Sequence, residues 1–176
     1  LQILPVNDTT MTHTWTDSYP YGAISIFALH PLYINLKAIG IVKDKDFMKK
    51  YLEKADELNK LESVDYDSVS KLKWEYLIKI FSESGNKIFQ STEYKLFFAK
   101  NSDWLIPYAA YCYLRDKYYS ADFSNWPEYS IYDKVKILEL TSPGCDHFDN
   151  IAIHYFIQFH LHLQLSEVHN YANSKK

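Results

Sequence analysis

Apolar side chains recur every three or four positions over most of this chain, the spacing that places them on one face of a helix. From residue 44 onward Phe47, Tyr51, Leu52, Ala55, Leu58 and Leu61 follow that step with Lys and Glu between them, so an amphipathic helix is predicted, started by Asp44 or Asp46. Asp65 opens a second, with Val69, Leu72, Tyr76, Ile80 and Phe81 as its buried stripe and Gly85 as its expected end. These two pair as a helical hairpin. A short third helix is expected over 91–99, and Ser102 caps a fourth through Trp104, Tyr108, Tyr111, Cys112 and Leu114. Pro107 lies five residues past that cap, beyond the first turn where proline is tolerated, which predicts a kink or a later start. A helix over 131–140 follows the Trp126-Pro127-Glu128 turn. After the break at Ser142-Pro143-Gly144 the longest helix runs over 146–174, capped by Asp146 and apolar on more than one side, hence largely buried.

The first forty residues do not share this period. Leu1 to Val6 and Leu32 to Leu36 are short apolar runs, expected as two strands, and between them Tyr19-Pro20-Tyr21-Gly22 has the composition of a turn. The predicted fold class is therefore mainly α with two short N-terminal strands. Two strands do not make a stable sheet alone. The chain also opens without Met and closes just past a long helix, so it reads as an internal piece of a larger protein. Three segments are expected: 1–40, a helical unit over 41–145, and the last helix over 146–176.

A formal charge of −3, with lysines scattered among acids, gives no basic stripe for nucleic acid. No apolar stretch nears the roughly 20 residues of a membrane span. Cys112 and Cys145 lie far apart and imply no disulfide framework, so a cytoplasmic setting is expected. Sixteen Tyr, ten Phe and four Trp exceed what turns require, so most of these rings are expected in the core. A tyrosine also offers a flat face with a polar tip, the combination a sugar-binding surface uses.

His154, His160, His162 and His169 all fall on the last helix, at separations of six, two and seven. Ligands on one helical face stand three or four apart, so no metal site is expected there, and no cofactor is implied elsewhere. Ser-His-Asp order, phosphate-binding glycine loops and paired-Cys spacings do not occur.

Several stretches resemble the 4-α-glucanotransferases (amylomaltases, or disproportionating enzymes): Gln2-Ile3-Leu4-Pro5-Val6-Asn7-Asp8-Thr9, Trp15-Thr16-Asp17-Ser18-Tyr19-Pro20-Tyr21, Ser25-Ile26-Phe27-Ala28-Leu29-His30-Pro31-Leu32-Tyr33, Asp103-Trp104-Leu105-Ile106-Pro107-Tyr108, and His154-Tyr155-Phe156-Ile157-Gln158-Phe159-His160. Simpler members have Asp-Ser-Pro-Tyr where this chain has Asp17-Ser18-Tyr19-Pro20-Tyr21, and the wording here is closer to the large cytosolic branch. The resemblance implies a fragment of a (β/α)₈ barrel carrying a helical insertion. It implies transfer of α-1,4-glucan segments between maltodextrins by retaining double displacement, with two carboxylates roughly 5 Å apart. The catalytic acids would lie beyond Lys176, leaving this piece inactive alone. Ser18 and Tyr21 map onto glucan-contacting positions, and the inserted Tyr19 leaves open which tyrosine stacks on the sugar. Asp146-His147-Phe148 matches part of the family's nucleophile string, but Gly144 stands where an Arg belongs, so Asp146 is read as a helix cap. Self-association through exposed apolar segments is a further expectation. The competing reading is a stand-alone helical interaction module with only ancestral similarity to the enzyme.

Overall fold

The computed structural model describes residues 2–175. Six α-helices are present among them: α1 (Leu36–Ile39), α2 (Lys45–Asn59), α3 (Tyr66–Gln90), α4 (Thr92–Tyr118), α5 (Lys134–Leu140) and α6 (Phe148–Asn173). Short 3₁₀ turns stand at Trp15–Ser18, Pro31–Tyr33 and Phe123–Asn125. The α6 helix packs chiefly on α4 and then on α3, which also carries α2.

Caps fix the predicted starts of α2 and α3. The Asp44 carboxylate accepts from Phe47 N at 3.0 Å and the Asp65 carboxylate from Ser68 N at 3.0 Å, each satisfying an amide that has no partner within its helix. Two other boundaries differ from expectation. Gly85 does not end α3. It is buried inside the helix, where an added Cβ would stand 2.5 Å from the Phe81 ring, so it is a point of close packing and not a stop. The predicted third and fourth helices are one. Ser91 caps α4 through Tyr94 N at 3.2 Å, Ser102 lies in its interior, and Pro107 is carried within it. The carbonyl that Pro107 leaves without a helical donor belongs to Asp103, an exposed residue that water can reach.

The two N-terminal strands do not form, and no sheet or barrel exists among the described residues; a single antiparallel bridge joins Asn7 to Leu29. Leu1 lies outside the described residues. Gln2 to Pro5 are exposed coil. In the second run, Pro31 starts a 3₁₀ turn in which His30 Nδ1 accepts from Leu32 N at 3.1 Å, and Asn35 then caps α1 through Lys37 N at 3.2 Å. Glutamines of α6 take the place of a partner strand. Gln158 accepts from Leu29 N and donates to Leu29 O, both at 2.8 Å, and Gln164 does the same for Asn35 N at 2.8 Å and Asn35 O at 3.0 Å. The extended backbone is thereby satisfied without a ladder.

Asp146 is not the cap of α6. The helix begins at Phe148 behind His147, which makes no side-chain cap bond, because the preceding turns close through backbone bonds from Cys145 N to Ser142 O and from Phe148 N to Cys145 O. Every residue from Ile151 to Leu161 is buried, since α6 separates two apolar clusters. One gathers Phe97, Tyr108, Trp126, Tyr155 and Phe159, the other Ile34, Tyr76, Leu77, Phe156 and Ile157. The helix is not buried throughout: Leu163, Leu165, Val168 and Tyr171 are exposed. No helix among the described residues is long and apolar enough to cross a membrane.

Candidate functional site

The loop from Asn7 to Tyr33 crosses one face of the helices, and its polar residues are its anchor. Asp17, 5% exposed, points inward. Its carboxylate accepts from Thr12 N at 3.1 Å, His13 N at 2.7 Å and Thr12 Oγ1 at 3.0 Å, while Thr9 Oγ1 donates to the Asp17 carbonyl. With Asp17 pinned, the residues on either side are pushed outward. Ser18 is exposed. Tyr19 and Tyr21 are each 64% exposed, and their rings meet edge to face at 5.5 Å across a turn closed by Gly22 N to Tyr19 O. Trp15 is exposed on the same 3₁₀ turn. The loop thus presents the Tyr19–Tyr21 pair as a ledge, with Ser18 exposed next to it in the chain. Its nearest carboxylate, Asp17, is consumed by backbone amides. A surface of this kind can stack on a ligand and donate hydrogen bonds.

Ser18, Tyr19 and Tyr21, all three named from the sequence, sit together here, and both tyrosine rings are open to a ligand.

The loop is also tied to the helices by a polar network with Asp8 and Arg115 at its buried centre. Asp8, 1% exposed, accepts from Tyr108 Oη at 2.6 Å, Thr10 N at 3.0 Å and Thr10 Oγ1 at 2.6 Å. Burial first, and the Asp8 charge second, push the Tyr108 hydroxyl far up, which keeps it a donor. Gln158 Nε2 also donates to Tyr108 Oη at 3.3 Å. Arg115, 2% exposed, donates to Thr10 O at 2.6 Å and to Asp116 at 2.7 Å. His13, whose φ of 58° is left-handed, reaches the same Asp116 oxygen at 2.8 Å. Burial acts to raise the Asp116 pKa, but the bonds from His13 and Arg115 outweigh it and hold the carboxyl well below its usual range. At the far end of the loop, His30 Nδ1 accepts from Leu32 N, so its Nε2 carries the proton donated to Tyr66 Oη at 2.7 Å. Burial lowers the His30 pKa, consistent with that neutral form.

One signal for this network was present in the sequence: Gln158 is a lone amide inside an apolar helical run. Asp8 gave none, because periodicity cannot tell a solvated charge from a buried one.

The histidines of α6 go to separate surroundings. His154 lies between the rings of Trp74 and Tyr108 at 5.6 and 6.2 Å, His160 against Phe156 at 4.4 Å, His162 against Phe97 at 5.1 Å, and His169 beside the Asn173 amide at 3.1 Å. No group of three potential metal ligands is found among the described residues.

A family profile described as 4-alpha-glucanotransferase matches residues 1–176. The 4-alpha-glucanotransferase DPE2 of Oryza sativa subsp. japonica is 42% identical over 182 residues, covering 100% of this chain and 18% of the rice protein. The 4-alpha-glucanotransferase of Chlamydia pneumoniae is 28% identical over 174 residues, and that of Chlamydia caviae 29% identical over 175 residues. In both bacterial cases 98% of this chain is covered and 31% of the relative. The chain therefore spans less than a third of the length of these relatives. No solved structure matches it. With the profile extending over every residue and a rice relative aligned along the whole chain, this chain belongs to the 4-alpha-glucanotransferase family, glycoside hydrolase family 77.

Proposed function

We propose that the chain supplies a glucan-contacting loop, with its helical support, to an enzyme that transfers α-1,4-glucan segments or glucose between maltodextrins by retaining double displacement. The observation that carries this reading is the exposed Tyr19–Tyr21 pair, held outward with Ser18 because Asp17 is locked inward. A pyranose has an apolar C–H face and a rim of hydroxyls, which a ring and a serine hydroxyl match. The nucleophile and the acid of such a reaction must be carboxylates that approach both faces of the glycosidic bond. On this reading they come from outside the chain, which alone transfers no glucose units. The free thiols Cys112 and Cys145 are in keeping with work in a reducing cytoplasm.

The test is steady-state disproportionation of maltotriose by a protein that carries this chain at the length of its rice relative. Replacing the stacking tyrosine by Ala should cost about 1 to 3 kcal/mol of transition-state stabilisation, roughly ten- to a hundredfold in kcat/KM. Ser18→Ala should cost about 1 kcal/mol, the worth of one hydrogen bond. Comparing Tyr19→Ala with Tyr21→Ala decides which ring stacks. If all three variants match the unmodified enzyme, the loop is scaffolding.

A further inference from the structure

One residue of the loop that carries the ledge is held in a disfavoured backbone conformation. The φ of His13, 58°, is left-handed, a conformation uncommon outside glycine that persists where surrounding contacts enforce it. Three contacts do so. The His13 N–H donates to the Asp17 carboxylate at 2.7 Å, its ring Nε2 lies 2.8 Å from Asp116 Oδ1 of α4, and the ring meets Trp74 of α3 edge to face at 6.4 Å. A main-chain bond to the loop and a side-chain bond to the helices thus issue from the same residue.

Over 11–22 no other residue hydrogen-bonds an α-helix among the described residues; upstream, Arg115 holds Thr10 O at 2.6 Å. The remaining hydrogen bonds of 11–22 stay within the loop. The exposed Thr12, Thr14 and Thr16 hydroxyls bond one another, Tyr19 N donates to Thr16 O at 3.4 Å, and Gly22 N donates to Tyr19 O at 3.3 Å. These bonds fix the shape of the turn but not its place on the helices. On the helix side the hold is firm. Buried Arg115 donates through Nε to the same Asp116 oxygen at 2.7 Å, and its Nη2 stands 3.2 Å from His13 Nε2. Asp116 accepts and Arg115 donates, so Nε2 has a partner with or without its proton: in one tautomer it donates to Asp116, in the other it accepts from Arg115.

We propose that His13 is a positioning residue for the Tyr19–Tyr21 ledge. Its ring holds the loop on α4, and its N–H fixes Asp17 within the 3₁₀ turn that Tyr19 directly follows. Substrate then meets rings already in place. Without the hold the ledge spends part of its time elsewhere, and apparent affinity falls in proportion to the fraction correctly placed. That the ledge receives an α-1,4-glucan rests on the function proposed above.

His13→Gly separates ring from backbone, since glycine takes a φ of 58° freely and keeps the N–H for Asp17. The His13 side chain is 40% exposed, so its loss leaves the core packed. In a protein of the rice relative's length carrying this chain, KM for maltotriose should rise about tenfold, with kcat held within about twofold. A residue of merely structural importance would lower kcat through lost folded enzyme and leave KM alone. His13→Gln, whose amide can donate to Asp116 or accept from Arg115, should return KM towards that of the unmodified enzyme. Added to Tyr19→Ala/Tyr21→Ala, His13→Gly should have no further effect. An unchanged KM in His13→Gly beside an impaired tyrosine double variant would overturn the role of His13 and leave the ledge standing. An equal rise in KM with and without the tyrosines would also overturn it, because His13 would then act elsewhere. A tyrosine double variant equal to the unmodified enzyme would remove the ledge itself, and the role of His13 with it.

Discussion

Tyr108 and Asp8 show how a surface loop is held by its interior. The Tyr108 hydroxyl supplies the only donor to Asp8 Oδ2 among the described residues, in a site sealed from water. Tyr108→Phe removes that donor and leaves a buried carboxylate oxygen short of a partner, so unfolding free energy should fall by about 1 to 3 kcal/mol in urea titration. An unchanged midpoint would show that water or a shifted side chain replaces it. The buried histidines govern the acid limit. Burial pushes the pKa values of His154 and His160 down to about 3 and about 4, whereas an unfolded chain protonates each near 6.5. Between those limits the unfolded state binds more protons, so stability drops as pH falls, by about 1.4 kcal/mol per pH unit for each histidine. Asp116, held low by His13 and Arg115, extends the loss below the ordinary carboxylate range. Urea midpoints that decline steadily from pH 6.5 to 4 are expected. A flat profile over that range would mean that these rings are protonated in the folded chain.

At the scale of elements, Gly85 sets two effects against each other. Alanine there improves helix propensity by about 1 kcal/mol. Its Cβ, however, would stand 2.5 Å from a Phe81 ring that Phe89 and Phe156 confine at 5.8 and 5.4 Å. Overpacking costs about 1 to 3 kcal/mol, so Gly85→Ala should lower the thermal midpoint; a raised midpoint would show that Phe81 moves aside freely. The same residue illustrates what could be read in advance. The stripes of α2 and α3 and the caps Asp44 and Asp65 were legible, because they depend on neighbours within one or two turns. Gly85 was misread as a stop because the Phe81 ring one turn earlier is held over it by Phe156 of α6, a contact that the pattern of α3 alone does not show. The two expected strands failed for a related cause. Ile3 to Pro5 are apolar yet stand exposed with no strand beside them among the described residues, and in the second run Asn35 is bonded by Gln164, 129 residues away, which no local pattern reveals. Ser18, Tyr19 and Tyr21 were named only through the family wording of the loop, and their exposure is what the structure adds. Nothing in the pattern marked Asp8, which anchors the same loop, as buried.

For the molecule as a whole, α6 joins a buried half to an exposed one. Leu165 and Val168 line a groove of about 390 Å³ with Val6, Leu29 and Tyr33, and Ile3 and Leu4 are also exposed. Apolar surface left open in this way favours association. Sedimentation of the chain should therefore show a mass that rises with concentration, and a monomer at all concentrations would mean the strip is too broken to pair. The proposed function stands on the ledge, where both rings are outside and the Asp17 carboxylate faces in. Its most direct test is kcat/KM for maltotriose disproportionation in a protein of the rice relative's length carrying this chain, compared with its Tyr19→Ala/Tyr21→Ala double variant. A fall of roughly tenfold to a hundredfold or more is expected, with the thermal midpoint unchanged, whichever tyrosine stacks. An equal kcat/KM in a folded double variant would contradict it.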